Sequence, residues 1–221
     1  MLRRSLFTFP QTISRSPDVS LGLLLIILIS SIVFSPLIIG YQSLAGTLFS
    51  CLMIASFVLT LGALTEDSPR IRLWLQITGI TIVILRGFAE FPLSPQWLPF
   101  FTLIASMLFH LGMMLMLIRH LFSVKPQAEK LLAAINFYLL TGITFSYLYL
   151  MVNLVSPGAF DLSSQSISSW PDYLYFSFVT LTTLGYGDIL PLSSLAQSLV
   201  TLEAVIGVLS PTVMIARFVG K

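Results

Sequence analysis

Apolar positions along this chain come in long unbroken runs, with polar residues gathered between them. Six runs stand out, at 21–39, 46–64, 71–88, 98–118, 131–154 and 194–219. Each is close to the roughly 20 apolar residues that carry an α-helix across a bilayer. Arg86 cuts the third short, and Pro36 in the first predicts a bend that neighbouring helices can absorb. A seventh apolar stretch, 173–182, is too short to cross. Ser169-Trp170-Pro171-Asp172 before it reads as a helix start, with Ser169 or Trp170 as cap, Pro171 in the first turn and Asp172 at the positive end. The stretch ends at Gly185 and Gly187, which predicts a re-entrant half-helix followed by an extended return. Non-helical backbone at that depth is tolerated where it is buried in protein or lines a cavity. The predicted fold class is therefore an all-α membrane protein: six transmembrane helices, with a re-entrant helix between the fifth and sixth. Ser- and Gly-containing residues 156–169 predict a solvated loop ahead of it.

Composition agrees, at 56% hydrophobic and 9% charged over 221 residues. The net charge of +2 gives no reason to expect a nucleic-acid partner. The single cysteine, Cys51, excludes an internal disulfide framework and reads as a small buried apolar residue. The first run is too long for a signal sequence and is expected to be retained. Charge sets orientation. Arg3, Arg4 and Arg15 precede the first run, and Arg70 and Arg72 lie between the second and third. Arg119, Lys125 and Lys130 lie between the fourth and fifth, and Arg217 and Lys221 end the chain. With six spans all of these share one side, leaving only Arg86 of 11 basic residues for the other. The positive-inside rule then makes both termini cytoplasmic. Trp97 and Trp170 fall near the outer interface and Trp74 near the inner one, as an aromatic belt requires.

The stretch from Thr180 to Asp188 carries the chemistry. It reads Thr-Leu-Thr-Thr-Leu-Gly-Tyr-Gly-Asp, and Thr180, Thr183, Gly185, Tyr186, Gly187 and Asp188 all match the pattern Thr-x-x-Thr-x-Gly-Tyr-Gly-Asp. In this it resembles the selectivity filter of the potassium channels of the pore-loop superfamily, with Leu184 where Val is usual. The resemblance covers 131–221, is closest to short bacterial ion-channel proteins of the two-helix pore type, and extends to 1–130 by topology alone. It implies that four copies donate the carbonyls of Thr183, Leu184, Gly185 and Tyr186 to K+ in stacked rings, with the Thr183 hydroxyl as a further ring. Turning successive carbonyls the same way needs dihedrals of alternating hand, which Gly185 and Gly187 supply at low cost. The half-helix end near Thr182 would face the cavity with partial negative charge. Tyr186 would pack on the half-helix, with Tyr175 and Phe176 as the partners the family pattern implies. Asp161, Asp172 and Asp188 would place negative charge at the outer mouth.

The sixth run starts at Ser193 or Ser194, with Gln197 in capping-box position to Ser194. Gly207 lies 19 residues after Asp188 (207 − 188), the spacing of the family's inner-helix hinge. The other reading is a glycine that lets two helices approach. Pro211 interrupts the ladder one turn on. Glu203, one turn before Gly207 on the same face, either faces the ion cavity or braces the half-helix through hydroxyls such as Ser177 or Thr182; the second is preferred. His110, in the fourth run, reads as a packed polar residue.

The chain is thus expected to have a cytoplasmic segment 1–20, a four-helix region 21–130 and a pore domain 131–221. The fourth run has no Lys or Arg, so steep voltage dependence is not expected. The function expected is passive K+ conduction by a homotetramer in the inner or plasma membrane, with no cofactor beyond the permeant ion. Alternatives are a poorly selective cation channel, suggested by Leu184 and by Val179, and a non-conducting membrane sensor or scaffold. Active transport lacks an ATPase motif, and an intramembrane enzyme lacks paired catalytic groups.

Overall fold

The computed structural model describes residues 17–35, 69–89, 95, 97–123, 126–161 and 169–219. In order, the elements are α1 (Pro17–Phe34), α2 (Pro69–Ala89), α3 (Leu98–Phe122), α4 (Gln127–Val155), β1 (Phe160–Asp161), α5 (Trp170–Leu181), β2 (Leu190–Pro191) and α6 (Ser194–Val219). The protein is mostly helical. By length and composition α1, α3, α4 and α6 can each cross a membrane. The second apolar run, 46–64, and Pro36 lie outside the described residues. The third run does form a helix, the 21-residue α2. Its apolar part is only Gln76–Leu85, bounded by Arg70 and Arg72 before it and Arg86 after it. At 12 residues α5 is roughly 18 Å long, well under the ~30 Å hydrocarbon layer.

The first core lies between α1, α3 and α4. Leu21, Leu24 and Leu28 recur three and four apart, so they share a face of α1, and all are fully buried. They pack with Met113 and Leu117 of α3 and Ala133 and Leu140 of α4. Asn136 of α4 donates from Nδ2 to the Leu21 carbonyl at 2.9 Å, fixing the height of α1. His110 is buried here as expected, with Nδ1 2.6 Å from the Ser106 carbonyl and its ring 5.3 Å from that of Tyr147.

A second core holds the end of the fold where the β1–β2 pair lies. Phe160 sits at its centre, 5.4 Å from the Tyr149 ring and 5.6 Å from those of Tyr173 and Phe176. At Ala159 and Phe160 the loop before α5 is therefore packed rather than solvated, while residues 162–168 lie outside the described residues. Phe160 pairs with Pro191 and Asp161 with Leu190 in a two-stranded antiparallel ladder, and the Leu192 amide donates to the Ala159 carbonyl at 2.8 Å. Burial of one large ring offsets the ordering of this short pair.

Candidate functional site: a short helix, its glycine-rich return and the acid behind it

The start of α5 follows from its first four residues. Asp172 Oδ2 accepts from the Ser169 amide at 2.8 Å and from the Ser169 hydroxyl at 2.9 Å, with Pro171 in the first turn. Ser169, not Trp170, is the cap. Asp172 is buried beneath this cap, so it does not serve as free charge at an outer mouth. Trp170 instead donates from Nε1 to Ser146 Oγ at 3.0 Å and stacks on Tyr147.

At the other end the chain leaves the helix at Thr182. The amides of Leu184 and Gly185 both turn back to the Val179 carbonyl, at 2.9 and 3.3 Å, and the Thr183 amide to that of Thr180, at 2.9 Å. From Thr182 to Asp188 every residue is exposed within the single chain. Gly185 and Gly187 have φ of +57° and +77°, in the left-handed region glycine occupies without penalty. Thr183 also has positive φ, +60°, which the sequence did not suggest because a β-branched residue resists it. The hand of the backbone therefore alternates, left at 183, 185 and 187.

Tyr186 is 66% exposed and lies on Tyr175, ring centroids 6.5 Å apart and planes 7° from parallel. Phe176 is not its partner. One position further round the helix, it points to the other side and packs on Tyr149 and Phe160. Tyr175 has a second role: its hydroxyl donates to Asp188 Oδ2 at 2.6 Å, and the Ile189 amide donates to Oδ1 at 3.2 Å. Asp188 thereby ties the end of the return to the helix it came from. The hydrogen bond to that carboxylate holds the Tyr175 proton, pushing the phenol up to about 12.

Behind α5 stands α6. Its start is capped by Ser193, whose Oγ accepts from the Ala196 amide at 3.2 Å; Gln197 does not close a box but reaches the Pro191 carbonyl from Nε2 at 3.2 Å. Only Ala196, Glu203 and Gly207 of α6 are buried, a narrow stripe facing inward. The Glu203 carboxyl lies between α4 and α5. Tyr149 donates to Oε2, and Ser177 Oγ is 2.5 Å from Oε1. Thr182 takes no part, because its hydroxyl donates to the Phe178 carbonyl. Gly207 lies against the last turn of α5, where a Cβ would fall 2.1 Å from the Leu181 carbonyl oxygen. Tyr138 of α4 donates to that same oxygen at 3.2 Å. Pro211 stands inside the helix four residues on, so the Gly207 carbonyl lacks its usual amide donor. Thr180 is half-buried in the last turn of α5.

Tyr149, Tyr138, Gly142 and Phe160 all bear on this site, and sequence reasoning did not single them out. Tyr149 stands 54 residues from Glu203, and no local pattern reports such a pairing.

A family model described as "Ion channel" matches residues 133–221. The inward rectifier potassium channel Kirbac3.1 of Paramagnetospirillum magnetotacticum is 35% identical over 85 residues, 37% of this chain and 27% of that one. Protein LctB of Bacillus caldotenax is 31% identical over 113 residues, 46% of this chain and 84% of LctB. Protein LctB of Geobacillus stearothermophilus is 30% identical over 84 residues, 37% of this chain and 62% of that one. The chain thus spans about a quarter of the inward rectifier and most of the Bacillus caldotenax protein. No solved structure matches. The match takes in α4, α5, the glycine-rich return and α6, the elements just described, and the chain belongs to the pore-loop potassium channel superfamily.

Proposed function

We propose that the chain is one subunit of a homotetrameric, potassium-selective channel that conducts passively across the inner or plasma membrane. The observation that carries this is the alternation of backbone hand at 183, 185 and 187. In an extended strand of uniform hand, successive carbonyls point to opposite sides. Inverting every second residue brings them to one side, which is what a file of oxygens replacing an ion's water shell requires. Thr183, Leu184, Gly185 and Tyr186 supply these oxygens, and Gly187 lets the strand leave. One such strand cannot surround an ion. With one filter stretch per chain, a closed ring takes four copies. The exposed face from Thr182 to Asp188 is the side those copies meet.

The rest of the arrangement serves that strand. α5 enters the membrane and stops short, its C-terminal carbonyls facing a central cavity and favouring a cation there. Thr180 and Tyr175 hold the strand from the helix side, Asp188 fastens its outer end, and Glu203 braces α5 from behind. Gly207 and Pro211 mark where α6 bends when the pore opens. Residues 131–221 form the pore domain. Residues 21–130 contribute four further helices to a six-span topology, with 1–20 and both termini cytoplasmic by the distribution of basic residues. From Leu98 to Ile118 α3 has no Lys or Arg, so opening is not driven by charge moving in that helix. Nothing in this reading calls for enzymatic chemistry.

The test is the reversal potential of the purified protein in bilayers, with K+ on one side and Na+ on the other. The expected value lies near the K+ equilibrium potential. A value near zero with clear current would replace K+ selectivity by a poorly selective cation pore, with Leu184 as the first suspect. Silence from protein that is also monomeric would favour a non-conducting sensor or scaffold.

A further inference from the structure

The back of α5 holds more short oxygen–oxygen contacts than two hydroxyl protons can fill. Three contacts meet there: Tyr149 Oη to Glu203 Oε2, Ser177 Oγ to Glu203 Oε1, and Ser177 Oγ to the Gly142 carbonyl at 2.7 Å. Tyr149 has one hydroxyl proton and Ser177 has one. A carbonyl and a carboxylate have none. If Ser177 gave its proton to an ionised Glu203, its oxygen would face the Gly142 oxygen lone pair to lone pair. If it gave its proton to Gly142, the same conflict would move to Glu203. A third proton is needed, and Glu203 is the one group in the set that can carry it. The surroundings agree. Glu203 is fully buried, and among the described residues the one ion pair is elsewhere, between His120 and Glu129. The Tyr138 hydroxyl is spent on the Leu181 carbonyl. An unpaired carboxylate at such depth is costly.

We infer that Glu203 is held as the neutral acid and is itself the donor to Ser177, a positioning residue that locks α4, α5 and α6 into one directional hydrogen-bond chain. Tyr149 donates to Oε2, Oε1–H donates to Ser177 Oγ, and the Ser177 hydroxyl donates to the Gly142 carbonyl. The importance of the clasp for conduction rests on the proposed channel; the proton count does not. A neutral clasp adds no fixed negative charge behind the strand, so attraction for the ion is left to the strand's own carbonyls and the helix end.

Infrared difference spectroscopy of the full chain in lipid reads the proton directly. The parent should show the carbonyl stretch of a protonated carboxylic acid, shifted in D2O, and E203Q should lack it. In S177A that stretch should move to higher frequency, because the acid has lost its acceptor. E203Q should retain K+ flux, since Gln offers an N–H to Ser177 and an oxygen to Tyr149. E203A should lose flux roughly tenfold or more, the scale set by stranding a buried hydrogen-bonding group. A parent without the acid band, or an S177A band that stays in place, overturns the inference. So does E203Q with flux as low as E203A in a parent that conducts. A parent with the band but no flux supports the neutral acid while defeating the channel reading.

Discussion

Replacing Gly207 by alanine separates the two duties open to that residue. The added Cβ would lie 2.1 Å from the Leu181 carbonyl oxygen, 2.9 Å from its carbon and 3.1 Å from its Cα. All three neighbours are backbone, so no side chain can swing clear. Ordinary contact starts at 3.4 Å, so the gap must open by about 1.3 Å (3.4 − 2.1). That shift drives α6 away from the last turn of α5, weakening the Tyr138 bond to the same carbonyl and, one turn up, the Glu203 clasp. Overpacking of this kind costs roughly 1–3 kcal/mol, or about five- to 150-fold in the population of correctly packed protein. The assay is paired: thermal dissociation of the oligomer in detergent, and K+ flux in vesicles. Gly112→Ala is the control, since a Cβ there meets nothing within 4 Å and a helix-interior glycine gains from the change. Gly142→Ala is intermediate, because its Cβ meets the Phe178 ring at 2.8 Å and that ring can tilt. The expected order of damage is Gly207, then Gly142, then Gly112. If Gly207→Ala matches Gly112→Ala in thermal stability and alters only open probability, the close-approach argument is refuted and a hinge remains.

Three further outcomes follow from the site. Gly185→Ala forces a Cβ into φ of +57°, costing about 1–2 kcal/mol in the left-handed region, and should abolish flux or selectivity while membrane insertion, read by fractionation, is unchanged. Tyr175→Phe removes the 2.6 Å bond, and Asp188→Asn leaves one acceptor oxygen for two donors; each should lower flux, and the double variant should be no worse than the poorer single one in a double-mutant cycle. The same bond has a pH signature: a phenol raised from 10.0 to about 12 keeps the latch whole below pH 10 and loses it as pH climbs through 12. The ultraviolet titration of Tyr175, isolated by difference against Tyr175→Phe, should move back toward 10.0 in Asp188→Asn. Arg217→Ala removes a cation 4.6 Å above the Phe122 ring, and should cost under about 1 kcal/mol in thermal stability.

What could be read from the sequence was local. The Ser169–Asp172 start of α5, the positive φ at Gly185 and Gly187, and the long apolar runs that became α1, α3, α4 and α6 each depend on residues within a few positions of one another. Ser177 as a partner for Glu203 was within reach as one of the half-helix hydroxyls, Ser177 or Thr182, that a bracing acid could meet. The failures were of other kinds. The β1–β2 pair is two residues long and has no periodicity to detect. Phe176 was assigned to Tyr186 by family pattern, and the packing of Phe160 claimed it instead. Asp172 was counted as surface charge until the cap consumed it. The bond between Tyr149 and Glu203 joins two spans across 54 residues, where only three-dimensional packing selects a partner.

The uneven burial of α6 bears on how force is carried through the protein. Its three buried positions all lie at or before Gly207, and none of the twelve residues from Val208 to Val219 is buried. Below Gly207 an open apolar groove of about 270 Å³, lined by residues that include Leu121, Phe137, Leu209 and Met214, lies between α6 and α3 and α4. The upper half of the helix is clamped and the lower half is compliant. Among the described residues, the lower half has half-buried positions such as Ser210 and Met214 and the Arg217 contact with Phe122, but no buried one. In the proposed tetramer, most of the resistance to displacing that half would come from lipid and from the other copies. In the proposed channel, bilayer thickness and lateral pressure would then be mechanical inputs to the pore, acting on a lever whose fulcrum is the contact between Gly207 and Leu181.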